Sequence, residues 1–158
     1  MFKSAFRKVK SLKAGVIIAF CAALSLSFTV DFDKISAIDF SSRCLYKGFD
    51  PTEEGKITGW QFYVTPDNFM RFKKLYYKGR QAYFSFNIHR FQDLSYVGDH
   101  TKGIVQIKTQ SDDIIVQTYN DPKGNVDSMS TVLQIPVRNV SAAQIDSLKR
   151  ALIFLKAH

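Results

Sequence analysis

TPDNFMRFKKLYYKGRQAYFSFNI, residues 65–88, is the stretch on which the fold turns, because its first half can be read in two ways. Thr65 is placed to cap a helix, Pro66 suits the first helical position, Asp67 puts an acid in the first turn and Gly79 can end the element. Phe69, Phe72 and Tyr76 fall at helical spacing between those signals. The competing reading is a hairpin in which Phe69–Tyr77 and Arg80–Ile88 turn at Lys78 and Gly79, and the aromatic content supports it. The end signals tip the expectation to a helix over 66–78. The second half has one reading: Ala82, Phe84, Phe86 and Ile88 alternate with Tyr83, Ser85 and Asn87, the period of a strand with one buried face.

Toward the N-terminus, Trp60, Phe62 and Val64 share one side of a strand over Thr58–Val64, with Gln61 and Tyr63 on the other. A turn-rich stretch, Gly48–Gly55, separates it from an expected first strand over Phe40–Tyr46. Toward the C-terminus, His89–Lys102 shows no sustained period and reads as a long irregular connection. Gly103–Thr109 and Asp113–Tyr119 read as a hairpin on the polar turn Gln110–Asp112. After the turn residues Asn120–Asn125, Thr131, Leu133, Ile135 and Val137 share a strand face, and Pro136 restricts that strand to an edge or an end. Ser141 and Gln144 form a capping box before Ile145, Leu148, Leu152 and Leu155, the pattern of an amphipathic C-terminal helix. The expected architecture is one small α+β domain, mainly antiparallel sheet, with element order roughly ββαββββα.

The first thirteen residues carry Lys3, Arg7, Lys8, Lys10 and Lys13 and no acid, and residues 14–30 carry no charge. A basic segment followed by an apolar one is the pattern of an export signal. Ser25 or Ser27 can end a cleaved signal peptide, and without cleavage the run serves as a single membrane anchor near the lower length limit for a span. Residues 1–27 are therefore read as signal peptide or anchor, 28–39 as a spacer and 40–158 as the domain. The expected location is periplasmic or otherwise extracytoplasmic, with membrane contact if the leader stays uncleaved.

The leader also accounts for most of the charge. The whole chain carries a formal +8, whereas residues 28–158 hold seventeen basic and fourteen acidic side chains. A balance that near neutral removes the motive for a nucleic-acid partner. Beyond the leader Cys44 is the sole cysteine, so no disulfide can form within the domain.

Two surfaces stand out for function. Arg71, Lys73, Lys74, Lys78, Arg80 and Arg90 are interleaved with tyrosine and phenylalanine and no acid intervenes from 71 to 90. On the expected helix Arg71, Lys74 and Lys78 form one positive stripe, extended by Arg80, fit for a protein or an anionic envelope component. The connection after Ile88 gathers His89, Asp93, Asp99 and His100, which could serve a metal or a hydrolytic site. No H-x-H, H-E-x-x-H, G-x-S-x-G, P-loop or dinucleotide motif accompanies them, so no metal or cofactor is expected. The sequence thus points to an exported, non-enzymatic binding protein acting as accessory subunit, inhibitor or immunity-type partner. The alternatives are a small hydrolase or metal-dependent enzyme using the His89–Lys102 connection, and an apolar-ligand carrier.

Overall fold

A computed structural model describes residues 32–158, and the expected signal peptide or anchor over 1–27 lies outside the described residues. Helix α1 (Lys34–Gly48) opens the domain, followed by strands β1 (Ile57–Val64), β2 (Phe69–Tyr76), β3 (Gln81–Asn87), β4 (Phe91–Gly98), β5 (Lys102–Thr109), β6 (Ile114–Tyr119), β7 (Asp127–Ser130) and β8 (Val132–Arg138), and helix α2 (Ala142–Ala157) closes it. The strands form two antiparallel sheets, one of order β1-β2-β3-β6-β7 and one of order β4-β5-β8. The α+β class, the antiparallel sheet and the C-terminal helix stand as expected. The element order does not.

Residues 66–78 are a turn and a strand, not a helix. Asn68 donates its backbone N–H to Thr65 O at 3.0 Å and takes a left-handed φ of 61°, so Thr65, Pro66 and Asp67 serve a β1–β2 hairpin rather than a helix start. Lys78 (φ 65°) and Gly79 (φ 79°) turn β2 into β3. Signals for capping and for turning use the same residue types, and the pairing of β2 on both edges decides between them.

The expected strand over Phe40–Tyr46 is part of α1, which also takes up the end of the expected spacer. Asp33 and Ser36 cap this helix reciprocally. Ala37, Ser41 and Leu45 form its buried stripe, and the hydroxyl at Ser41 hides the apolar period. The stretch from His89 contains β4, whose pairing with β5 shifts between Phe91 and Asp93 and so interrupts the alternation. β5 and β6 do not form a hairpin: β5 lies between β4 and β8, and β6 between β3 and β7, so the chain changes sheet between them. Pro136 lies on β8, an edge strand as its missing N–H requires.

One apolar cluster joins both helices to the inner faces of both sheets. Phe49, Phe72, Phe86, Ile107, Ile135, Leu148 and Leu152 are all fully buried. Phe72 meets Phe49 edge-on at 5.1 Å between centroids and also contacts Phe62 and Phe84. In α2 the expected residues Ile145, Leu148, Leu152 and Leu155 face this core, and the Ser141–Gln144 capping box is formed.

Candidate functional site

Strand periodicity sends the residues between the core positions to the opposite face of the five-stranded sheet. There the pairing aligns Tyr63, Arg71, Ser85, Ile115 and Met129 in one row across all five strands. The next row runs Gln61, Lys73, Tyr83, Gln117 and Asp127. Tyr63, Ile115, Met129 and Tyr119 are exposed, Met129 to 59%. Apolar and aromatic area of this kind, threaded with cations, has the composition of a contact surface.

Arg71 sits at the centre of the face. Tyr63, then Tyr83, hold its pKa above the already high ordinary value, and its guanidinium lies 5.9 Å from the Phe69 ring centroid. Its Nε is buried without a hydrogen-bond partner among the described residues. Tyr63 and Tyr83 flank Arg71 in the pairing of β1, β2 and β3. Asp67 and Asp127 mark the rim.

Of the four expected stripe residues, only Arg71 lies on this face. Lys74, three positions on, points the other way because a strand alternates where a helix would not. It is 4% exposed, pairs with Glu54, and lies 4.9 Å from the Phe84 centroid and 5.2 Å from that of Phe72. Lys78 is exposed in the β2–β3 turn. Arg80 stacks on Tyr76 at 3.8 Å and pairs with Asp121 at 3.2 Å. The stripe is dispersed, and Lys73, Tyr63 and Tyr83 replace its lost members. Their signal was the polar side of the alternation around Phe62, Phe72 and Phe84.

The loop candidates are kept apart by β4. His89 precedes it, with Nδ1 2.8 Å from Lys156 O and Nε2 3.3 Å from the Asn68 side-chain amide. Asp93 lies on the strand and pairs with Lys149 at 2.6 Å. Asp99 is in the turn beyond, where Thr101 foremost, together with the Lys102 N–H, holds its pKa down to about 2. His100 is exposed beside it. A strand of this length separates His89 from Asp99 by roughly 25 Å. Among the described residues no three His, Cys, Asp or Glu side chains gather closely enough to hold a metal.

Cys44 is half-buried on α1, in the wall of a cavity of about 500 Å³. Burial pushes its thiol up to about 11, so it remains protonated at neutral pH. The inner aromatic sheet face is packed against the helices. No family model, curated protein or solved structure matches the chain, so the functional reading rests on geometry and chemistry.

Proposed function

We propose that this chain is an exported, non-enzymatic envelope protein that binds another protein through the outer face of its five-stranded sheet, taking up an acidic segment of that partner. The row Tyr63–Arg71–Ser85–Ile115–Met129 carries the proposal, because it sets a confined guanidinium inside an exposed apolar and aromatic surface. The basic and apolar leader supports export. An acidic segment suits the face because its two central cations, Arg71 and Lys73, lie side by side on β2 while the acids stand at the rim.

A photo-crosslinking residue at Met129 should capture one partner in the native envelope, and the same residue at Tyr77, in the β2–β3 turn, should not. Binding of that purified partner to Arg71→Gln/Lys73→Gln should lose roughly tenfold or more in affinity, mainly through slower association, and added salt should weaken the unmodified protein in the same way. Equal capture from both positions, unchanged affinity of the double variant, or binding to anionic vesicles in place of a protein would overturn the proposal.

A further inference from the structure

On the outer side of the other sheet, a cleft of about 480 Å³ lies between the turn Asp50–Glu54 and strands β5 and β8. Its apolar wall is the paired row Val97, Ile104 and Pro136, with Val97 62% and Ile104 37% exposed. Asp50 and Glu53 supply its acidic end, together with Glu54. Glu54 is already committed to Lys74. Asp50 is not similarly matched. It is 1% exposed, and its Oδ1 accepts from the Thr52 N–H at 3.0 Å and from the Thr52 hydroxyl at 2.6 Å. Its Oδ2 is buried and accepts no hydrogen bond among the described residues.

The nearest cation to that oxygen is Lys102 Nζ, 3.7 Å away and beyond hydrogen-bond reach, because it is drawn to Glu53 at 3.0 Å. Lys102 is thus shared between two carboxylates, Arg138 adds a second positive charge near Asp50 without a hydrogen bond to it, and the Lys102 side chain is 61% exposed. Asp50 is itself rigidly placed. Its N–H donates to Pro136 O at 2.9 Å and the preceding Phe49 bridges to Val137, which fixes the turn to the edge of β8. The Thr52 hydroxyl first, and Lys102 among the smaller causes, hold the Asp50 pKa below the ordinary carboxylate range, so the charge persists at neutral pH.

We propose that this cleft binds a primary alkylammonium group, its nitrogen completing Asp50 Oδ2 and its carbon stem lying along Val97, Ile104 and Pro136. A buried carboxylate oxygen without a donor is costly, and an ammonium supplies a charged donor of the kind that Lys102 and Arg138 do not bring into hydrogen-bond reach. The apolar row fits an alkyl stem, and the volume lies within the range of small-ligand sites. Lys102 is a tethered competitor, which a bound ammonium displaces toward Glu53 and solvent.

The test is a titration of the full-length protein at neutral pH, monitored by amide shifts of Val97, Gly103 and Ile104. Hexylammonium is the probe, with hexanol and hexanoate as controls and a blocked Gly-Lys-Gly peptide as a second source of the same group. Hexylammonium, the peptide or both should bind where hexanol and hexanoate do not, and which of the two binds tells a free amine from a lysine side chain. Lys102→Met should tighten binding several-fold, and Asp50→Asn should weaken it roughly tenfold or more. Should Asp50→Asn disturb the fold through its Thr52 contacts, Glu53→Gln together with Lys102→Met keeps the test open, since the double variant should still bind through Asp50. Equal shifts with hexanol, no response to either amine, or weaker binding in Lys102→Met would overturn the proposal.

Discussion

Lys74 carries its ammonium into the aromatic core of the five-stranded sheet, where Phe72 and Phe84 face it and Glu54 neutralises it. Burial lowers its pKa from 10.5, and Glu54 opposes that shift. A buried ion pair stabilises little beyond a well-packed apolar substitute, whereas an unpaired buried charge is severely destabilising. Glu54→Gln should therefore cost about 3–5 kcal/mol, while the paired replacement Lys74→Met/Glu54→Gln should be neutral or stabilising. The pH dependence has a definite sign. A base with a lowered folded pKa binds its proton more weakly when folded, so the burial penalty is full below the folded pKa and is gone above 10.5. Any stability gap between Lys74→Met/Glu54→Gln and the unmodified protein should narrow as pH rises toward 10.5, which denaturant titrations at a series of pH values measure directly. A costly Lys74→Met/Glu54→Gln at neutral pH would show that the pair itself stabilises the core, and a gap that does not narrow with pH would show that burial of the charge is not its cause.

At the scale of elements, α2 fastens the two-sheet body through a single face. Leu148 is fully buried, while its neighbour Lys149 lies on the partly exposed flank and pairs with Asp93 at 2.6 Å. Leu148→Ala should destabilise by about 2–5 kcal/mol through lost contacts and the cavity left behind. Lys149→Ala should cost under about 1 kcal/mol, because exposed ion pairs contribute little. Thermal and urea unfolding of the two variants separates the cases, and equal effects would mean that α2 is not packed as described. This helix was legible in the sequence because capping box and apolar period agree at residues 141–155. α1 was not, since Ser41 occupies its buried stripe. β2 reads as a helix in the sequence because Thr65, Pro66 and Asp67 cap helices and build turns alike, and only its two neighbouring strands exclude the helix. The candidate site followed the same error: a period of two instead of 3.6 carries Lys74 inward and brings Lys73 beside Arg71. The cleft at Asp50 had no local signal at all, because Val97, Ile104 and Pro136 come from three strands that pair only in the folded sheet.

For the molecule as a whole, the decisive question is which side of a membrane the domain occupies. Five cations precede an uncharged run in the leader, and among the described residues no helix is long and apolar enough to cross a membrane. A cation-rich segment tends to stay on the cytoplasmic side while the chain beyond the apolar run is translocated. The C-terminus suits a reporter: Leu155 is buried, but Ala157 and His158 are exposed, and His158 rests against Phe154 at 4.2 Å between ring centroids. A fusion after His158 therefore extends from the surface without displacing core residues. A reporter active only outside the cytoplasm should be functional there, and one active only inside should be silent. Exchanging Lys3, Arg7, Lys8, Lys10 and Lys13 for Glu should reverse or abolish that pattern without changing the melting of the domain, because the changes act on orientation and not on packing. A cytoplasmic reporter that stays active with the unmodified leader would place the domain inside the cell and overturn export.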